Sequence, residues 1–159
     1  MEIINGERLV LGTCYYPEHW DESLWRDDLK RMLENGIEVI RIAEFAWSKI
    51  ERYEGVFNYD FFDRFLDVAA DMGMKVIFCT PTATPPAWLT EKYPEVLNAN
   101  MDGVLYRHGG RRHYNYNSPK YQELTTIIVE KSASHYAKHP AIIGWQIDNE
   151  LNCEKNEFY

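Results

Sequence analysis

Asn149 and Glu150 stand side by side just past the apolar run Ile142 to Ile147. A carboxyl at the end of a buried strand, close to Trp145 and Gln146, is partly withdrawn from water. That favours its protonated form and suits it to give a proton to a leaving oxygen. The Asn149 amide can donate to a ligand hydroxyl or orient the neighbouring carboxyl. A solvated Glu150 capping a following helix fits the same position, and Asp148 faces either the site or the structural side of the strand end. Arg41 and Glu44 lie three apart across the end of another apolar run, so they form either an ion pair or, through Glu44, an acceptor for ligand hydroxyls with Phe45 and Trp47 as stacking surfaces. Arg111 and Arg112 either clamp an electronegative oxygen or belong to a solvated, salt-bridged face. His19, His108 and His113 have no Cys or second His at ligand spacing, which makes them hydrogen-bonding residues rather than metal ligands.

These residues need elements to hold them. Leu9 to Tyr16 reads as a first buried strand ending at Pro17. Trp25, Leu29, Met32 and Leu33 then share one helical face, with Gly36 at the C-terminal cap, and Ile37 to Ile42 is a second strand. Phe61, Phe62, Phe65, Leu66, Ala69 and Met72 form a second helical stripe closed by Gly73, before the strand Lys75 to Cys79. A third helix starts with Ser118 as N-cap and Pro119 at its first position, runs to about Lys138, and gives way to the strand Ile142 to Ile147.

Strands alternating with helical crossovers imply parallel α/β architecture. A doubly wound nucleotide-binding sheet would carry a Gly-rich turn after its first strand, but that turn reads CYYPEHW. A TIM (β/α)8 barrel places its chemistry on the segments after each strand. Here those segments are CYYPEHW, RIAEFAWS, CTPTATPPAW and QIDNE, all dense in aromatic and polar groups. A barrel takes eight strands and about 250 residues. This chain therefore supplies the first four βα units, a half barrel over residues 1–159. The connection Thr80 to Ser118, with one short helical piece near Trp88 to Tyr93, reads as a wall of the site.

Composition excludes other classes. The 159 residues bound the chain to one domain or part of one, and 45% hydrophobic with 26% charged residues is an ordinary globular balance. A net charge of −8 with no basic block beyond Arg111-Arg112 argues against nucleic acid. No apolar run is long enough to span a membrane and no signal-length segment opens the chain, so the expected location is cytoplasmic. Three separated cysteines, Cys14, Cys79 and Cys153, argue against a disulfide framework. No cofactor is expected. The 14% aromatic content suits packing first, and also flat platforms for amphipathic ligands such as sugars.

The ordered set CYYPEHW (14–20), RIAEFAWSKIE (41–51), TPTATPPAWL (80–89), RHGGRRHYNYNSP (107–119) and WQIDNE (145–150) resembles glycoside hydrolase family 42 over nearly the whole chain. The resemblance implies a retaining β-galactosidase on a (β/α)8 barrel, acting on galactosides and typically a cytoplasmic homotrimer at full length. It makes Glu150 the acid/base and Asn149, Arg111 and Glu44 substrate contacts. The nucleophile of the family lies on a later strand, which leaves it outside this chain. Some members hold zinc with a Cys where this chain has Asn115, so the resemblance implies no zinc site here.

Three functional readings follow. The first is a β-galactosidase fragment that carries the proton donor and substrate contacts. The second is a non-catalytic carbohydrate-binding or assembly fragment, which retained galactose binding without turnover would favour. The third is a gene product that does not fold alone, because a four-stranded half barrel has two open edges.

Overall fold

A computed structural model describes residues 9–110, 112–150 and 157–158. In chain order the elements are β1 (Leu11–Cys14), α1 (Trp25–Glu34), β2 (Ile37–Ile42), α2 (Trp47–Ile50), β3 (Glu51–Tyr53), β4 (Val56–Phe57), α3 (Asp60–Asp71), β5 (Lys75–Cys79), α4 (Ala87–Lys92), β6 (Ala99–Asn100), α5 (Pro119–Tyr136), β7 (Ile142–Gln146) and β8 (Glu157–Phe158). They divide into two compact units, of which the first holds residues 9–43, 59–79 and 136–146.

The first unit is built on a parallel sheet in the order β1-β2-β5-β7. The order follows the sequence without reversal, whereas a doubly wound sheet reverses at its switch point. Cys14 pairs with Arg41, Ile42 with Phe78, and Phe78 with Trp145. α1 and α3 become helices because their apolar residues recur at helical spacing. Trp25 and Leu29 of α1 are buried, as are Phe62, Phe65, Leu66 and Ala69 of α3. Trp25 sits edge-on to Phe61 and Phe65, each with ring centroids 5.2 Å away. Phe78 on β5 then meets Phe62 at 5.7 Å, Trp145 at 5.4 Å and Tyr136 at 4.8 Å. Each such ring buried contributes about 1.5–3 kcal/mol. Gly36 and Gly73, at φ 80° and 77°, turn the chain from each helix into the next strand, a conformation that costs glycine little.

The ranges of β2 and β5 agree with the sequence reading. The first strand differs. It is shorter, Leu11–Cys14, and all four of its residues are exposed rather than buried. β1 is an edge that pairs only with β2 among the described residues, so an apolar run there has neighbours on one side. Burial begins one residue later. Tyr15 stacks on Phe65 at 5.7 Å, and its hydroxyl donates to Asp28 Oδ2 at 2.8 Å.

The second unit holds residues 44–58, 80–110, 112–135, 147–150 and 157–158. The hairpin β3–β4 is absent from the sequence reading. Tyr53 pairs with Val56, leaving Glu54-Gly55 as a two-residue loop with Gly55 at φ 77°. The long connection is ordered as well. It contains α4, 3₁₀ turns at Pro81–Ala83 and Pro94–Val96, and β6, which pairs antiparallel with β8. Main-chain bonds from Asn98 N to His113 O and from Asn115 N to Val96 O, both 2.8 Å, tie its two halves together. α5 begins as its sequence indicates, with Tyr121 N–H donating to the Ser118 hydroxyl at 3.4 Å and Pro119 at the first position. It buries Tyr121, Leu124, Ile128 and Ser132 along one stripe. No helix among the described residues is long and apolar enough to cross a membrane.

Candidate active site

β7 ends at Gln146, and the next four residues include the candidate pair Asn149-Glu150. Ile147 is exposed, Asp148 is buried, Asn149 is half-buried and Glu150 is exposed. Asp148 and Glu150 both have left-handed backbone, at φ 55° and 51°. For residues with a Cβ this conformation costs about 1–2 kcal/mol, so the surroundings must hold it.

They do so through Asp148. Its N–H donates to Thr80 Oγ1 at 2.7 Å, Thr82 Oγ1 donates to its Oδ2 at 2.8 Å, and its Oδ1 accepts the Asn149 N–H at 2.6 Å. Thr80 and Thr82 come from the TPTATPP segment after β5, and their hydroxyls lie 3.4 Å apart. Tyr121 of α5 donates to the Thr82 carbonyl at 2.8 Å and so fixes that segment. The ambiguity of Asp148 is thereby removed, since it faces the two threonines and anchors the turn. Burial pushes the Tyr121 hydroxyl far above the ordinary tyrosine range, with the charge of Asp148 adding to the effect. Tyr114, stacked on Tyr121 at 4.8 Å, is raised in the same way, first by burial and then by its contact with Tyr116. Both phenols stay protonated donors near neutrality.

Arg112 reaches the same turn. Its Nη2 donates to the Asn149 carbonyl at 3.2 Å and lies 3.9 Å from Glu150 Oε2. The Arg112 side chain is only 11% exposed, and its Nη1 is buried with no hydrogen-bond partner among the described residues. Sequence reasoning paired Arg112 with Arg111 as a candidate clamp, and the family resemblance selected Arg111, which lies outside the described residues. The desolvation expected of Glu150 is not supplied by the described residues, because its side chain is 57% exposed.

Glu44 follows Ala43, a third left-handed residue at φ 77°, and is fully buried. Thr84 Oγ1 donates to the Phe45 carbonyl at 2.9 Å, joining the segment after β2 to the one after β5. Arg41, for which an ion pair with Glu44 is one of two readings, donates from its Nη1 to Gln146 Oε1 at 2.9 Å. The row Arg41, Ile77, Gly144 crosses the sheet, and Gln146 is two residues beyond Gly144 on the same face.

Sequence reasoning also passed over Glu51, a buried carboxylate. It accepts the Trp47 indole N–H and the Gly55 N–H, each at 2.7 Å, while its carbonyl accepts the Trp88 indole N–H at 3.1 Å. A cavity of about 410 Å³ opens beside Asp148, lined by Thr80, Thr82, Tyr116, Tyr121 and residues of α5. Glu44, Arg112 and Glu150 are not among its lining residues. Among the described residues no group of three or more His, Cys, Asp or Glu is placed to hold a metal ion.

Comparison with known proteins gives the same direction throughout. Residues 14–159 match the model of the glycoside hydrolase family 42, described as Beta-galactosidase. Beta-galactosidase Bga of Halorubrum lacusprofundi is 43% identical over 145 residues, 91% of this chain and 21% of that protein. Beta-galactosidase BgaA of a Thermus species is 45% identical over 144 residues, 91% of this chain and 22% of its own length. Among solved structures, the β-galactosidase of the psychrophilic Marinomonas ef1 superposes with a TM-score of 0.89 at 42% identity, over 93% of this chain and 23% of that one. The chain thus spans about a fifth of the length of the relatives it matches. With nearly all of its residues inside the family model, the chain belongs to glycoside hydrolase family 42.

Proposed function

We propose that the chain forms the first four βα units of a (β/α)8 barrel, the N-terminal part of a catalytic domain that hydrolyses terminal β-D-galactosides with retention. Glu150 is the acid/base. It protonates the departing glycosidic oxygen and then draws a proton from water. Asn149, Arg111 and Glu44 bind galactose hydroxyls. The second carboxylate, which must stand about 5–5.5 Å away to attack the anomeric carbon, comes from outside these residues. The working enzyme is a cytoplasmic homo-oligomer, a trimer by family, in carbohydrate metabolism.

The observation that carries this reading is Asn149-Glu150 at the C-terminal end of β7, with Arg112 against it, in a parallel sheet ordered as in a barrel. The test is Glu150→Gln in the full-length enzyme that contains this segment, assayed as kcat/KM on galactosides with poor and good leaving groups. Loss of about 10²-fold or more on an alkyl galactoside, with a dinitrophenyl galactoside nearly unaffected, is expected of a lost proton donor. Equal loss on both substrates refutes the assignment.

A further inference from the structure

We infer that Asp148, held by Thr80 and Thr82, is a positioning residue that sets the turn from which Asn149 and Glu150 project; this rests on the acid/base reading of Glu150. Asp148 is buried, at 7% exposure. Its hydrogen bonds account for the left-handed backbone on both sides of Asn149. Thr80 takes the Asp148 N–H, Thr82 occupies one carboxylate oxygen, and the other oxygen takes the N–H of Asn149.

The donor sequence is determined by chemistry. Thr82 must give its proton to the carboxylate, which only accepts, and Thr80 must accept from the main-chain N–H. The Thr80 proton is then free to point at Thr82 Oγ1, 3.4 Å away. Each hydroxyl has one proton, so the order Thr80 to Thr82 to Asp148 uses both in one direction. Main-chain direction at 148 decides where residue 150 points, and Arg112 fixes the far side of the turn through the Asn149 carbonyl. Loss of the Thr82 hydroxyl takes one donor from the buried Asp148 carboxylate, which turns towards another donor and releases the Asn149 N–H. Glu150 keeps its chemistry and loses its aim, and a misplacement of about 1 Å is enough to reduce proton transfer about 10²-fold.

The experiment uses the full-length enzyme with Thr82→Val, Thr82→Ser and Glu150→Gln. Val matches Thr in shape and removes only the hydroxyl, whereas Ser retains it. Thr82→Val should lower kcat/KM for an alkyl galactoside by about tenfold or more, with a dinitrophenyl galactoside changed less than about twofold, and Thr82→Ser should restore the alkyl substrate. A residue that only stabilises the fold would lower both substrates together or shift only the melting temperature. Either result in Thr82→Val, alongside a selective Glu150→Gln, overturns the positioning role and leaves the acid/base assignment standing. An unselective Glu150→Gln overturns the acid/base assignment and the positioning role with it. Should Thr82→Val not accumulate as folded enzyme, Thr80→Val removes the acceptor of the Asp148 N–H and is read by the same substrate pair.

Discussion

Replacing Glu51 tests whether a buried carboxylate, rather than apolar packing alone, holds the segment after β2 in shape. Glu51 is 3% exposed and its two oxygens each serve one donor, the Trp47 indole and the Gly55 main chain, at 2.7 Å. Glu51→Ala strands both. Trp47 is fully buried, so its N–H bears the desolvation cost of an unmade bond, about 2–3 kcal/mol, whereas exposed Gly55 recovers much of its loss from water and costs about 1 kcal/mol at most. Relief of the carboxylate's own desolvation offsets part of the sum, which leaves a destabilisation of about 3 kcal/mol. Glu51→Gln keeps the chain length and one carbonyl acceptor, but turns an amide N–H2 towards one of the two donors. With the carbonyl given to Trp47, the conflict falls at Gly55 and costs about 1.5 kcal/mol. At a urea slope of about 2 kcal/mol/M, the midpoints should fall by about 1.5 M for Ala and about 0.7 M for Gln, with unchanged slope. Trp47→Phe, which removes the donor, should show a coupling of about 1.5 kcal/mol with Glu51→Ala in a double-mutant cycle. A Gln variant within about 0.5 kcal/mol of the parent, or additive Glu51 and Trp47 losses, would refute this reasoning.

Four further outcomes are expected. Tyr15, Tyr114, Tyr121 and Tyr136 are all raised by burial above the ordinary tyrosine value of about 10. The unfolded chain therefore sheds these protons first, so stability is complete below about pH 10 and falls as pH rises through the raised values; absorbance at 295 nm should show their ionisation coinciding with loss of structure, and reversible titration of all eleven tyrosines in a folded chain would contradict this. Cys14 is exposed and Cys79 buried, so alkylation should label Cys14 in native protein and Cys79 only in denaturant. Gly73→Ala, at φ 77° with no atom within 4 Å of the added methyl, should cost about 1 kcal/mol from backbone strain alone, read as a shift in urea midpoint. The 159-residue chain alone, with β1 and β7 each paired on one side among the described residues, should associate as concentration rises; a monomer at all concentrations in sedimentation would count against open edges.

The parallel α/β order was legible because helical and strand periodicities differ, and because Gly36, Gly73 and Pro119 punctuate the chain where helices stop or start. β2 and β5, with neighbours on both sides, came out at the expected residues. β1 did not, because an edge strand carries an apolar run without the burial that such a run implies. Asn149 and Glu150 were legible as chemical groups after a strand. Their support was not. Thr82 and Thr80 meet Asp148 across 66 and 68 residues, and a threonine in a Pro-rich segment has no periodicity to mark it. Glu51 was passed over for a related reason, since a carboxylate several residues beyond its strand reads as solvated until Trp47 and Gly55 are seen to fill it. The turn Glu54-Gly55 was the available signal for that hairpin.

The four described non-glycine residues with left-handed backbone are Ala43, Arg112, Asp148 and Glu150. Each is a candidate site residue or the neighbour of one, and each conformation costs about 1–3 kcal/mol in isolation. Glycine would remove that cost at any of the four. At Arg112 it would also remove the guanidinium from the Asn149 carbonyl, and at Asp148 the acceptor for Thr82 and Asn149. At Glu150 it would remove the carboxyl itself. At three of the four, glycine would thus exchange backbone relief for the loss of a polar side chain, and hydrogen bonds from segments distant in sequence hold the turn at 148–150. Strain that a glycine would relieve, retained where the side chain has polar partners, is the mark of a strand end shaped for something other than stability.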